Sequence, residues 1–119
     1  MKRILHIDDE ADIREVLSAY LQCEGYEVVS VSGPTEAFQA IERTKPDLVM
    51  CDLQLEESDG LQTIDRLRVM LPDVPVILLT GVLLDPRVAY ETVQKRGLVY
   101  IEKTQPLQRI AGEIRRLLA

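Results

Sequence analysis

ILHIDD, residues 4–9, decides the reading of this chain: a short apolar run, Ile4–Ile7, passes directly into two acids, Asp8 and Asp9. Four more runs of the same length and type follow, at Val28–Val31, Leu48–Cys51, Val76–Leu79 and Leu98–Ile101. Rich in Val, Ile and Leu, they suit parallel strands covered on both faces. His6 lies inside the first run and reads as a core histidine.

Between the runs lie helical spacings. Ile13, Val16, Leu17, Tyr20 and Leu21 form one face, and Gly25 follows where the helix should stop. Pro34 fits a first helical position before Ala37, Phe38 and Ile41. Leu61, Ile64, Leu67 and Leu71 repeat at helical intervals ahead of Pro72. Asp85-Pro86 reads as the N-cap and first residue of a helix bearing Ala89 and Val93. Pro106 opens a last helix with Leu107, Ile110, Ile114, Leu117 and Leu118 on its inner stripe. Five strand–helix units in 119 residues predict one α/β domain over residues 1–119. Right-handed crossovers make its parallel sheet doubly wound, with helices on both sides.

Composition agrees with a globular domain. Hydrophobic residues make up 46% and charged residues 29%, which excludes a disordered tail. No apolar run approaches the roughly 20 residues of a membrane span, and the start turns acidic too soon for a signal peptide. Cys23 and Cys51 have no metal- or redox-motif neighbour, so they read as reduced, semi-buried thiols of a cytoplasmic protein. A net charge of −6 argues against direct nucleic-acid binding. That charge is unevenly spread. Residues 1–85 hold seven basic and seventeen acidic side chains, whereas 86–119 hold seven basic and three acidic. The basic region reads either as solvated helix faces or as a docking surface.

In open α/β sheets, ligands bind beyond the carboxyl ends of the strands. The residues there are Asp8 and Asp9, Asp52, Thr80 and Lys103. Singly each is ordinary: Asp9 reads equally well as the N-cap of the first helix. Together, three carboxylates would repel and raise at least one pKa unless a cation intervened. All-oxygen ligands with several waters suit Mg²⁺. An acid beside Mg²⁺ and opposite an ammonium is equipped to accept a phosphoryl group, with Asp52 attacking in line.

At this point the sequence resembles, over its whole length, the receiver domains of two-component response regulators. The matching pieces are Ile7-Asp8-Asp9-Glu10, Asp52 to Gly60, Leu79-Thr80-Gly81 and Tyr100-Ile101-Glu102-Lys103. The resemblance implies a flavodoxin-like, five-stranded sheet in order 2-1-3-4-5 with five helices, an order for which a receiver is a standard example. It also implies that Asp52 is the phosphoacceptor. Asp9, Asp52 and the backbone carbonyl of Gln54 would hold Mg²⁺ directly, with Asp8 acting mostly through water. Lys103 would contact the phosphoryl group, and Thr80 and Tyr100 would form the switch pair. Gly81 would keep the approach to Asp52 open. Apart from the resemblance, apolar Val82, two residues past Thr80, reads either as packing against the next helix or as a screen that keeps water from the aspartyl phosphate.

The implied function is a phosphorylation-driven switch, fed by a sensor histidine kinase or phosphotransfer protein, with no output domain in this chain. It would catalyse only its own phosphorylation and dephosphorylation. Output would run through a downstream protein or a homodimer, using the basic region 86–119. The alternative is a receiver-fold binding module that signals without phosphorylation. An aspartyl phosphatase fits less well, because Gln54 stands where a second aspartate is expected.

Some positions depart from the family. Glu56 stands where proline is usual, next to Glu57; Val82, Leu83 and Leu84 follow Thr80-Gly81, where a polar loop is common. Gly97 to Tyr100 is one residue short. The proline that usually follows the lysine comes two residues late, in Lys103-Thr104-Gln105-Pro106. A cis Lys103–Thr104 bond would cost about 2.5–4 kcal/mol, so a trans bond, a longer loop and a less firmly seated Lys103 are expected.

Overall fold

Each apolar run becomes a parallel strand, and each helical spacing becomes a helix. A computed structural model describes residues 1–52, 60–81 and 86–119, without the side chains at 60, 61, 88, 89, 92, 95 and 96. The strands are β1 (Arg3–Ile7), β2 (Glu27–Val31), β3 (Leu48–Cys51), β4 (Val76–Thr80) and β5 (Val99–Glu102). The helices are α1 (Ala11–Cys23), α2 (Pro34–Arg43), α3 (Gly60–Met70), α4 (Pro86–Arg96) and α5 (Leu107–Leu118). The sheet order is β2-β1-β3-β4-β5, as expected. Boundaries shift by a residue at several ends. β4 takes in Thr80, Leu98 is buried just ahead of β5, and Pro106 caps α5 rather than opening it.

Strand alternation divides the interior into two cores. Leu5, Ile7, Val49, Cys51, Val76 and Leu78 face α2 and α3, where they meet Ala37, Ile41, Ile64 and Leu67. Ile4, Leu48, Met50, Ile77 and Leu79 face α1 and α5, where they meet Leu17, Leu21, Ile110 and Ile114. Of the inner face expected on α1, Val16 is the exception, 52% exposed. It sits at the margin of the apolar arc, over the cleft between α1 and α5. The thiols are not semi-buried: Cys51 is buried and Cys23 exposed, both free.

The ends of α1 follow from local chemistry. Gly25 takes φ +96° just past the helix. There its N–H bonds to the Gln22 carbonyl, and the N–H of Tyr26 bonds to the Leu21 carbonyl, the paired closure that a glycine in that conformation permits. At the far end of the sheet, the Arg68 guanidinium donates to the Val74 carbonyl at 2.8 Å and the Gly97 carbonyl at 2.7 Å. It thereby joins the entrance of β4 to the turn between α4 and β5.

Candidate functional site

Register delivers the acids to one place. β1 pairs with β3 as far as Ile7 opposite Cys51, so Asp8 and Asp52 leave adjacent strands side by side. The Asp52 N–H donates to the Ile7 carbonyl at 2.9 Å, and that of Asp8 to the Val31 carbonyl at 3.1 Å. On the other flank, the Lys103 N–H extends the β4–β5 ladder by donating to the Thr80 carbonyl at 2.8 Å. Asp8 and Asp52 are buried, Asp9 is half-buried and Glu10 is exposed, yet one oxygen from each lies within 4.8 Å of the others.

Lys103 Nζ stands among these oxygens, 2.8 Å from Asp8 Oδ2, 2.9 Å from Asp52 Oδ2 and 3.0 Å from Glu10 Oε1. A cation therefore does intervene at Asp8. Burial acts to raise its pKa, but contacts with the His6 ring, the Lys103 ammonium and the Glu10 N–H outweigh burial and hold it below the ordinary range. Burial likewise opposes the charge on Lys103. Contacts with the Asp8, Asp52 and Glu10 carboxylates prevail and push its pKa well above normal. The cation that relieves the repulsion is thus the chain's own ammonium. Burial, with Asp52 and Asp8 nearby, drives the Cys51 thiol strongly upward, so it stays neutral. Cys51 faces the α2–α3 core, away from the acids, as strand alternation requires.

Lys103 is consequently held more firmly than its displaced proline suggests. Among the described residues no peptide bond is cis, and a turn closed by the Gln105 N–H on the Glu102 carbonyl (3.1 Å) carries the chain toward α5. Ionic partners, rather than an adjacent proline, seat the side chain. A Cβ on Gly81 would lie 3.7 Å from Lys103 Cδ, at ordinary contact distance. Thr80 is fully buried at the end of β4. Tyr100, opposite Leu78 in the register, is half-buried against the α2–α3 core. Thr80 and Tyr100 thus occupy the same face of the sheet, on neighbouring strands.

Asp9 is not the N-cap of α1; that position belongs to Glu10, whose side chain caps nothing. Glu10 is the site residue that sequence reasoning missed. Its signals are its place in the matching piece Ile7-Asp8-Asp9-Glu10 and a negative one, since glutamate is not among the preferred N-cap residues. Gln54, Glu56, Glu57, Val82, Leu83, Leu84 and Asp85 lie outside the described residues, as do the side chains of Leu61 and Ala89. His6 is wholly buried, with Nε2 3.7 Å from Asp8 Oδ2, too long for a hydrogen bond. A cavity lies at the opposite end of the sheet, beside Arg3, Leu5, Val29, Ile41 and Thr44. Arg3 there is committed to both carboxylate oxygens of Glu27 at 3.0 Å.

Residues 4–115 match the family model of the response regulator receiver domain. The chain belongs to that family. This receiver is 31% identical over 116 residues to the probable transcriptional regulatory protein TcrX of Mycobacterium tuberculosis, covering 97% of the chain and 49% of TcrX. It is 36% identical over 78 residues to the transcriptional regulatory protein GlrR of Escherichia coli, 66% of the chain but 18% of GlrR. The receiver thus spans at most about half the length of these curated relatives. Among solved structures, the response regulator TrrA of Thermotoga maritima, in complex with Mg²⁺ and BeF, superposes with TM-score 0.86 at 30% identity, covering 99% of this chain and 100% of that one. The receiver domain of NtrX from Brucella abortus gives TM-score 0.87 at 32% identity, covering 97% of each chain.

Membership of this family makes the receiver a phosphorylation-switch module of two-component signalling rather than a conventional enzyme. Its acidic cluster is compatible with Mg²⁺. Among the described residues no helix is long and apolar enough to cross a membrane.

Proposed function

We propose that Asp52 is the phosphoacceptor of this receiver and that the domain assists its own phosphorylation. The observation that carries this is Lys103 Nζ at 2.9 Å from Asp52 Oδ2, inside a cluster of four carboxylates. An Asp52 oxygen attacks the phosphorus of a donor phosphohistidine, the P–N bond breaks, and the leaving imidazole takes a proton from water. Lys103 turns from the carboxylate to the phosphoryl oxygens, balancing charge that the acids cannot accept. Asp9 and Asp52, with Asp8 behind them and the Gln54 carbonyl from outside the described residues, would hold Mg²⁺. The metal would supply further neutralisation of the phosphoryl oxygens. Thr80 and Tyr100 then read the new group as a switch pair, the Thr80 hydroxyl bonding to it and the ring turning inward. Val82 is our candidate for shielding the product from water.

The donor would be a sensor histidine kinase or phosphotransfer protein, in the cytoplasm. Output would be a changed contact with another protein or a second copy through residues 86–119. Their basic count overstates the free charge there, since Lys103 belongs to the site and Arg116 Nη2 pairs with Glu113 Oε2 at 2.7 Å. The competing reading, signalling without phosphorylation, would be favoured by a loosely held lysine, whereas Lys103 makes three ion pairs.

The test is intact mass after incubation with phosphoramidate and magnesium. One phosphoryl adduct on the native chain and none on Asp52→Asn supports the reading. An unmodified native protein overturns it in favour of the competing one.

A further inference from the structure

Glu10 occupies the N-cap of α1, where its carbonyl accepts the Arg14 N–H at 3.1 Å. Its own N–H donates to Asp8 Oδ1 at 2.9 Å, which fixes where its side chain departs. Instead of capping the helix, that side chain reaches a residue 93 positions away, placing Oε1 3.0 Å from Lys103 Nζ. The Glu10 side chain is 59% exposed while that of Lys103 is 9% exposed, so the contact draws the ammonium toward the rim of the site.

The same ammonium stands on Asp8 and Asp52, two carboxylates that a divalent cation would also use. Two cations cannot share those oxygens at contact distance without strong repulsion. When the metal enters, Lys103 must give ground, and Glu10 is the partner it can keep. A lysine followed directly by proline would have its direction set by backbone; here Thr104 and Gln105 intervene, leaving that task to side chains.

We infer that Glu10 is a positioning residue that retains Lys103 as the ammonium yields Asp52 to a divalent cation, setting both the ease of metal entry and the stance of the lysine toward the phosphoryl group. The inference rests on the metal-assisted reading above.

A double-mutant cycle on the full chain tests it, with magnesium alone as probe and its affinity read by calorimetry and by amide shifts in NMR. Lys103→Met removes a competing cation and binds magnesium more tightly. Glu10→Gln lets the lysine fall back onto Asp8 and Asp52, weakening magnesium by roughly three- to tenfold, and by less than about twofold when Lys103 is already methionine. An equal factor in both backgrounds would overturn the inference, making Glu10 a metal ligand or a remote charge. So would an unchanged affinity in Glu10→Gln, whose exposed position makes misfolding a poor explanation and a thermal melt an easy control. Affinity is read without phosphorylation, so a missing adduct defeats the phosphoacceptor reading alone, while adduct formation without coupling defeats this inference alone. No magnesium binding in any variant defeats both.

Discussion

Replacing Lys103 by methionine keeps an unbranched apolar stem of nearly the same length and removes the ammonium. Asp8 and Asp52 are then left buried, with side chains 0% and 5% exposed, without the cation now 2.8 and 2.9 Å away. Breaking a fully buried ion pair costs about 3–5 kcal/mol. Because Glu10 remains in water, we expect about 2–4 kcal/mol here. For a domain of this size that lowers Tm by on the order of 10 °C. Melting followed by circular dichroism suits the chain, which contains no tryptophan. Magnesium at about 100 times its Kd should return about 2.7 kcal/mol, and at a fixed concentration it should stabilise the variant more than the native protein. The penalty should also shrink as pH falls, and the decline should begin above the ordinary 3.8 of an aspartate, because burial without the ammonium favours the protonated form of Asp8. A loss under about 1 kcal/mol at neutral pH without divalent ions, or equal stabilisation of both proteins by magnesium, would refute the view that Lys103 is the internal counter-ion.

Urea unfolding across pH should reflect the same cluster. The lowered Asp8 pKa contributes stability that is complete above the ordinary 3.8 and is lost as pH falls through the depressed folded value. The raised Lys103 pKa contributes stability that is complete below 10.5 and is lost as pH rises through its higher folded value. An acid limb unchanged by Asp8→Asn would contradict the first assignment. Ile64→Ala empties a wholly buried position between α3 and the sheet and should cost about 2–5 kcal/mol in urea; a change within about 1 kcal/mol would deny Ile64 that place. Two glycines should respond with opposite signs. Gly25→Ala meets no atom within 4 Å, yet its φ of +96° should cost roughly 1–2 kcal/mol, whereas Gly112→Ala, inside α5 with only Arg115 Nη2 at 3.9 Å, should gain about 0.5–1 kcal/mol. Shifts of the same sign would contradict that backbone assignment.

The fold was readable because burial on both sides of a sheet forces continuous Val, Ile and Leu runs, and because Gly25 and Pro34 mark helix ends chemically. The gathering of Asp8, Asp52 and Lys103 followed from a general property of parallel sheets, that strand ends share an edge. Side-chain reach was not readable. Spacing along the chain carries nothing about a glutamate and a lysine 93 positions apart, whose meeting depends on the β1–β3–β4–β5 registers acting in series. For the same reason the displaced proline misled: it reports on backbone direction at Lys103, while three carboxylates determine where the ammonium rests. Val16 shows a milder limit, since helical periodicity places it near the inner face without saying how far α5 extends to cover it.

Arg68 has a consequence for how any signal must travel. One rigid, planar group clasps the carbonyls of Val74 and Gly97, at the pole of the molecule remote from the acids. If Thr80 or Tyr100 shifts, the chain ahead of them stays moored, and the displacement is thrown toward the opposite rim. By tying those two carbonyls together, the guanidinium would act as the pin of a hinge whose free end is the one that carries the acids.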